Sequence, residues 1–181
     1  MTYQINIDCI INLNLHHEQD INSKAAYSGV RFCGEKMLQI CKINNHLSVS
    51  RQIHINDISD IVVAGYRSII CNRSDNEDLG QPSFADIEIE IKKHNLEARW
   101  QPVCAGTLQE IHGREFGELL NILPSPVLAY CRSGTRSIML WALFQARKRS
   151  VSDILYYTTR AGYDISGLVP KLKAIKSRYE I

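Results

Sequence analysis

The most constraining feature of the sequence is an apolar run, a short polar loop and a second apolar run in direct succession. The first run, Val127 to Tyr130, follows Pro126 and has the length and composition of a short buried strand. Cys131 comes at its carboxyl end, and residues 138–144 have the composition of a buried helix. The chain must therefore turn from strand to helix directly after a cysteine.

The loop between these two runs predicts an anion-binding site. Backbone N–H groups at the start of a helix point toward a bound anion. The helix dipole and the nearby guanidinium of Arg136 both favour thiolate over thiol, so Cys131 is predicted to be a nucleophile. A buried structural cysteine is the alternative for a lone cysteine, but here Cys131, Gly134 and Arg136 occur together at the junction.

Residues of the loop and of the helix start are predicted to surround the anion: Arg132, Ser133, Gly134, Thr135 and Ser137. Ser133 and Ser137 can donate hydrogen bonds to the thiolate, and Ser137 can equally be a structural donor. Arg132 is expected to point outward as a surface charge, with contact to an anionic substrate as the alternative.

The length of the loop bears on what the nucleophile attacks. Only four residues separate Cys131 from Arg136. Tyrosine and dual-specificity phosphatases have one residue more, whereas rhodanese-type sulfurtransferases resemble the shorter form, in which a ring of amides surrounds a cysteine persulfide. Because a smaller ring has less room for a tetrahedral phosphoryl group, the spacing favours a single sulfur atom.

Composition limits the class of protein. A chain of 181 residues with a net charge of +2 is most simply one domain, without an electrostatic case for nucleic acid or a membrane surface. No apolar run approaches the roughly 20 residues that span a bilayer, and no secretory signal pattern is present, so a cytoplasmic location is expected. The six cysteines form no C-x-x-C pair, and neither a metal site nor an organic cofactor is predicted. Cys71 and Cys104 are expected to be buried hydrophobes, with a role as resolving thiols as the alternative.

Apolar runs and turn residues along the chain predict strands alternating with helices. The strands are predicted at 38–43, 47–50, 66–71, 97–103 and 127–130, and the helices at 55–65, 84–96, 111–123, 138–144, 151–161 and 168–175. This alternation predicts an α/β fold with a parallel-type central sheet and helices on both faces.

In such sheets the ligand crevice lies beyond the carboxyl ends of the strands. Cys131 and the polar loop 72–82 both fall there. Arg73, Asp75 and Glu77 lie on this loop, and they are predicted to orient substrate or to hold the active-site loop; a solvated turn is the alternative. Arg73 and Asp75 are counted among the anion-binding residues.

Three blocks in order carry a resemblance to a known family: Lys42–Ser50; Tyr66–Arg73 with Asp75, Glu77, Gly80, Gln81 and Pro82; and Val127–Ser137 with Leu140 and Trp141. Through them, residues 37 to about 175 resemble the phosphatase-like domain of beta-lactamase-hydrolase-like proteins. The resemblance implies a cysteine-phosphatase-like α/β fold with Cys131 as nucleophile and Arg136 as anion clamp.

The activity implied by this resemblance is open. The fold suggests phosphatases, whereas related domains fused to sulfide- and persulfide-handling enzymes suggest sulfur transfer. True phosphatases carry a general-acid Asp on the loop after the strand that precedes the nucleophile strand. The corresponding residues 102–110 contain no Asp and only Glu110. Such an acid is worth roughly 10²–10⁴-fold in rate, and persulfide transfer needs none.

The short loop and the missing acid together predict a rhodanese-type sulfurtransferase. It would accept sulfane sulfur from thiosulfate or a persulfide as a Cys131 persulfide and pass it to a thiol acceptor. One alternative is a phosphatase that cleaves a phosphate ester through a Cys131 phosphocysteine. A second alternative is a non-enzymatic module that binds anions or senses oxidants through Cys131.

Residues 1–36 lie outside the resemblance and show no clear amphipathic period. We expect them to form a loosely packed N-terminal extension, with residues 37–181 as the catalytic domain and Met37 as a candidate translation start. The apolar residues between Ile5 and Leu15 provide the alternative of an added strand or a short helix.

Overall fold

The computed structural model describes residues 38–179 and, of the preceding chain, only the backbone of Ser28 and Gly29. These two residues form a short strand, β1 (Ser28–Gly29). The prediction of a loosely packed extension over residues 1–36 otherwise lies outside the described residues, as does Met37.

The strands form one sheet in the order β1-β2-β3-β6-β4-β5. After β1 they are β2 (Gln39–Lys42), β3 (Leu47–Ser50), β4 (Ser68–Cys71), β5 (Glu97–Trp100) and β6 (Val127–Tyr130). Strands β3, β6, β4 and β5 run parallel, whereas β1 pairs antiparallel with β2, and β2 with β3. The predicted parallel-type sheet is confirmed, and the strand before Cys131 lies near its middle.

Six α-helices are described, together with short 3₁₀ turns at Ile55–Asp57, Ala105–Thr107 and Ser166–Leu168. The helices are α1 (Ile58–Val63), α2 (Phe84–Lys93), α3 (Glu110–Ile122), α4 (Thr135–Gln145), α5 (Val151–Arg160) and α6 (Val169–Ser177). Ser83 caps α2, because its hydroxyl accepts the N–H of Asp86 at 3.1 Å.

Alternate residues of the central strands face opposite helical layers. Ile69 and Leu128 pack in one apolar cluster with residues of α1 and α2, whereas Ile70 and Ala129 pack in another with residues of α3 to α6. All residues of β3, β4 and β6 are buried, as expected for parallel strands covered on both faces. The predicted helices on both faces of the sheet are therefore confirmed.

The segment after β5 differs from the prediction. The strand ends at Trp100 rather than at residue 103, because Pro102 has no N–H to donate to a neighbouring strand. The chain then forms the 3₁₀ turn Ala105–Thr107, and Cys104 at its start is exposed. The prediction that Cys104 is buried is wrong for this reason, whereas Cys71 within β4 is buried as expected.

The carboxyl ends of the parallel strands bring three loops to one edge of the sheet. Ser50, Cys71 and Tyr130 end β3, β4 and β6, and Tyr130 lies in register with both of the others. The loops that follow these residues therefore leave the sheet side by side, where the crevice of an α/β sheet is expected. Among residues 38–179, no helix is long and apolar enough to cross a membrane, and no three His, Cys, Asp or Glu side chains group as metal ligands.

Candidate active site

The loop after β6 wraps around a buried thiol. Cys131 follows the last residue of β6 directly, and α4 begins at Thr135. Between them, Gly134 adopts a φ of 91°, a left-handed conformation that favours glycine. Its N–H donates a hydrogen bond to the Cys131 Sγ at 3.1 Å, and Cys131 is only 1% exposed. The strand, loop and helix predicted around Cys131 are present, and the sulfur lies at the base of the loop.

Arg136 is held in place by Glu77, which lies on the loop after β4. The two guanidinium NH groups of Arg136 donate to Glu77 Oε1 at 2.5 Å and to Oε2 at 2.6 Å, and one of them also donates to the Val103 carbonyl at 2.9 Å. This paired bond is the strongest arrangement open to a guanidinium and a carboxylate. It raises the pKa of Arg136, which the nearby Cys131 raises further, and Arg136 therefore stays charged.

Glu77 joins two arginines. Besides Arg136, it accepts a hydrogen bond from Arg73 Nε at 3.0 Å and from the N–H of Ser74 at 3.1 Å. These contacts, led by Arg136, lower the pKa of Glu77 to about 2. The carboxylate is therefore ionised at every pH of ordinary use, and it anchors the loop after β4 to the helix that carries Arg136.

Arg73 is buried and connects two loops through hydrogen bonds and ion pairs. Its side chain is 3% exposed, and besides Glu77 it donates to Gln52 Oε1 at 2.8 Å and pairs with Asp78. Each of its three guanidinium nitrogens therefore contacts a protein oxygen. The alternative that Arg73 holds the active-site loops fits this geometry better than direct contact with an anion.

Asp75 binds the amino-terminal end of helix α2. Its Oδ1 accepts the N–H of Phe84, the first residue of that helix, at 2.9 Å. This is the geometry of a helix cap rather than of an anion-binding residue, since a carboxylate repels an anion. Asp78 on the same loop instead reaches the loop after β6, where it pairs with Arg132 Nε at 3.0 Å.

The remaining residues of the loop divide into exposed and buried groups. The side chain of Arg132 is 68% exposed, as the prediction of a surface charge has it. Ser133 and Thr135 hydroxyls contact each other at 3.0 Å. Ser137 is fully buried, and its Oγ has no hydrogen-bond partner among the described residues. A buried hydroxyl without a partner carries a desolvation cost, which a bond to the thiolate or to a bound anion would relieve.

The sequence gives no strong signal for Tyr163, which contacts the loop between β6 and α4. Gly162, with a φ of 85°, lies just beyond the end of α5, and Tyr163 follows it. The Tyr163 hydroxyl donates to the carbonyl of Ser133 at 3.2 Å. It also fills the space beside Gly134, since a Cβ placed there would lie 2.0 Å from the Tyr163 Oη. Only the Gly-Tyr pair after a helix hints at this contact, and it indicates a helix end rather than a partner for the loop.

Cys71 is unsuited to react with the site. Its Sγ donates to the Arg73 carbonyl at 3.4 Å, and burial raises the pKa of the Cys71 thiol to about 11. Burial also raises the pKa of the neighbouring Tyr130, which packs in the apolar cluster on the α1 and α2 side of the sheet. Since thiolate is the reactive form, Cys71 fits the prediction of a buried hydrophobe and not that of a resolving thiol.

These contacts define what the site can do chemically. The Cys131 sulfur lies next to an N–H donor, and Arg136 provides a charged guanidinium whose orientation Glu77 fixes. The start of α4 adds further backbone N–H groups and the positive end of a helix dipole. The arrangement suits the attack of a thiolate on a centre that carries negatively charged oxygens.

Comparison with known sequences identifies similar proteins. The family model described as beta-lactamase hydrolase-like protein, phosphatase-like domain, matches residues 39–148. A beta-lactamase hydrolase-like protein of Agrobacterium fabrum is 28% identical over 149 residues, which cover 76% of this chain and 35% of that protein. The chain thus spans about a third of the length of the curated relatives it matches.

Solved structures share the fold. A candidate phosphatase from Neisseria meningitidis has a TM-score of 0.70 and 33% identity, over 75% of this chain and 97% of its own. A second candidate phosphatase, from Shewanella putrefaciens, has a TM-score of 0.60 and 15% identity, over 77% of this chain and 92% of its own. The second likeness concerns the fold alone.

Proposed function

The chain belongs to the family of the phosphatase-like domain of beta-lactamase hydrolase-like proteins, and on this premise we propose that it is a phosphatase with Cys131 as its nucleophile. The observation that carries the proposal is the placement of the Cys131 sulfur at the base of a loop that ends in an arginine fixed by Glu77. The substrate would be a small anionic phosphate ester.

The proposed reaction has two steps. In the first, the Cys131 thiolate attacks phosphorus, an S–P bond forms, and the P–O bond to the leaving group breaks. In the second, water attacks the phosphocysteine, the S–P bond breaks, and the thiolate is regenerated with release of phosphate. Loop N–H groups and Arg136 would stabilise the charge on the phosphoryl oxygens in both steps.

Fixing Arg136 in advance supports this chemistry. A guanidinium that is already oriented needs little reorganisation when a phosphoryl group arrives, and preorganised charge is the main source of stabilisation in such transition states. Glu77 provides the orientation through two short hydrogen bonds, and Arg73 in turn holds Glu77.

The sulfurtransferase prediction finds no support among the relatives, since the matching family is phosphatase-like and the similar solved structures are described as candidate phosphatases. Its remaining arguments are the four-residue spacing from Cys131 to Arg136 and the absence of Asp from residues 102–110. Thiosulfate, a persulfide donor and a thiol acceptor are therefore replaced in the proposal by a phosphate ester and water.

The experiment that tests the proposal measures two activities side by side. Phosphate release from para-nitrophenyl phosphate should depend on Cys131, so that Cys131→Ser abolishes it, and a phosphocysteine on Cys131 should be detected by mass after rapid quenching. Cys104→Ser is the matched control, because Cys104 is an exposed thiol outside the loop. Thiosulfate:cyanide turnover with a persulfide on Cys131, in the absence of phosphate release, would overturn the proposal in favour of sulfur transfer.

A further inference from the structure

We infer that this site acts on phosphoryl groups whose leaving group departs as an anion, without receiving a proton. This class comprises acyl phosphates, phosphoanhydrides and phosphate esters of acidic phenols, and it excludes phosphate esters of simple alcohols. The inference rests on the proposed phosphatase function and specifies its substrates. It follows from the hydrogen bonds and ion pairs that the carboxylates near the loop after β6 already make with protein donors.

The segment that carries the general acid in true phosphatases has another function in this chain. Residues 101–109, between β5 and α3, contain no Asp or Glu. At the carboxyl side of β5, this segment presents the Val103 carbonyl to Arg136 at 2.9 Å. Gln101, the first residue of the segment, is bound at both ends of its side-chain amide, to Asn72 and to the His112 carbonyl. The segment therefore supports the arginine and offers no carboxylic acid.

Glu77 is the carboxylate that contacts Arg136 directly, and these contacts disfavour its protonated form. It accepts hydrogen bonds from both NH groups of Arg136 and from Arg73. These bonds lower its pKa to about 2, so a protonated Glu77 is scarce at neutral pH. A general acid must instead be protonated near the working pH.

The other nearby carboxylates have fixed partners as well. Asp78 pairs with both Arg73 and Arg132, and Asp75 accepts the N–H of Phe84. Glu110, the single acid between residues 102 and 110, pairs with Arg178 and accepts the hydroxyl of Tyr179 at the far end of the chain. Each of these carboxylates therefore already contacts a donor of the protein.

Arg132 adds a charge that suits an anionic leaving group. It lies next to Cys131 on the loop, and its side chain is 68% exposed although its Nε pairs with Asp78. A partly solvated guanidinium at the mouth of the site can neutralise a departing carboxylate, phosphate or phenolate. An alkoxide is far more basic than these groups, and charge neutralisation alone does not replace its proton.

The resulting step balances without a proton donor. The S–P bond forms as the P–O bond to the leaving group breaks, and the leaving oxygen keeps the bonding pair and departs as an anion. Water then attacks phosphorus, the sulfur keeps the pair of the S–P bond, and the proton of the water goes to solvent or to the phosphate product.

The test measures kcat/KM for dinitrophenyl, para-nitrophenyl and phenyl phosphate, with acetyl phosphate and glycerol phosphate alongside. We expect kcat/KM to fall by about a hundred-fold or more from dinitrophenyl to phenyl phosphate, the size of the missing acid effect. Acetyl phosphate should be hydrolysed and glycerol phosphate should not. The parameter kcat/KM is used because it reports the first step and not the hydrolysis of phosphocysteine.

The outcomes separate this inference from the proposed function. Nearly level kcat/KM values across the series, abolished by Cys131→Ser, would overturn the inference and leave the phosphatase function standing. If no substrate shows Cys131-dependent hydrolysis, the proposed function itself fails. Asp78→Asn and His54→Gln each replace a residue on a loop at the carboxyl edge of the sheet. Each variant should change kcat/KM for dinitrophenyl phosphate and for phenyl phosphate by the same factor. A selective loss with phenyl phosphate would identify that residue as the acid and overturn the inference.

Discussion

Arg136 and Glu77 lie 59 residues apart in the chain, yet the carboxylate of Glu77 accepts both guanidinium NH groups of Arg136 at 2.5 and 2.6 Å. The pair joins the loop after β4 to the first turn of α4. It fixes the direction of the one arginine in the Cys-x4-Arg segment that is buried next to the sulfur.

Replacing Glu77 should therefore lower activity, although Cys131 and Arg136 themselves are unchanged. In Glu77→Gln, Arg136 and Arg73 lose the carboxylate that orients them, and a hydrogen bond to a charged group is worth about 1.5–3 kcal/mol. We expect kcat/KM for para-nitrophenyl phosphate to fall about ten- to a hundred-fold. Glu88→Gln, which removes a pair with the exposed Lys92 on α2, is the control and should retain full activity.

Stability should depend on pH through the same carboxylate. The pKa of Glu77 falls from 4.5 to about 2 on folding, so its contribution is present above pH 4.5 and is lost as the pH falls toward 2. Linkage sets this contribution at up to about 3 kcal/mol, less the part that solvent screens. The difference in unfolding free energy between wild type and Glu77→Gln, from urea titrations, should shrink steadily between these pH values. A difference that is constant with pH would contradict the assignment.

Arg136→Lys should weaken activity strongly even though the charge is kept. A lysine ammonium cannot make two parallel bonds to Glu77 while also bonding the Val103 carbonyl, as the guanidinium does. We expect kcat/KM to fall at least ten-fold, with the loss mainly in kcat. Arg147→Lys, on the surface after α4, controls for the substitution itself. A lysine variant as active as wild type would show that the paired geometry is not needed.

Gly134→Ala should reshape the catalytic loop. An alanine at a φ of 91° is strained by about 1–2 kcal/mol, and its Cβ would lie 2.0 Å from the Tyr163 hydroxyl. The loop or Tyr163 must shift, which moves the N–H that donates to the Cys131 sulfur. We expect a loss of activity larger than the loss of stability explains. Gly167→Ala, where nothing lies within 4 Å and φ is ordinary, is the matched control and should behave as wild type.

Tyr163→Phe tests whether the contact from Tyr163 holds the loop between β6 and α4 in place. The variant removes the hydrogen bond from the Tyr163 hydroxyl to the Ser133 carbonyl, a bond that is worth about 1 kcal/mol. We expect a several-fold decrease in kcat with KM nearly unchanged, because loop geometry rather than substrate contact is altered. Tyr156→Phe, at a 58% exposed tyrosine of α5, should leave both parameters unchanged. Equal effects of the two variants would show that Tyr163 does not position the loop.

The sequence predicts the strands and helices well because the sheet is buried on both faces. β4 and β6 are short continuous apolar runs, and Ser83 marks the start of α2 by its capping hydroxyl. The placement of Cys131 between a strand and a helix follows from the same pattern, and the structure agrees with it.

What the sequence could not resolve is which side chains meet across loops. Glu77 and Asp75 lie two residues apart on one polar loop, yet the first binds two arginines and the second caps a helix. Tyr163 reaches the loop only because Gly162 turns the chain at the end of α5. Such contacts depend on loop backbone paths, which carry no period in the sequence. The end of β5 at Trp100 differs from the prediction for another reason. Pro102 has no N–H, and this could have indicated from the sequence that the strand ends before it.

The apolar cluster on the α3 to α6 side of the sheet bears on how this protein can be shortened. The family model ends at residue 148, before α5 and α6, which supply Ile154, Leu172 and Ile175 to that cluster. A chain that ends at residue 148 would keep residues 131–136. It would lose Ile154, Leu172 and Ile175, and also Tyr163. It would expose the apolar face of α4, and such a fragment is expected to aggregate when expressed. We therefore expect the unit that folds to extend beyond the residues that the family model matches.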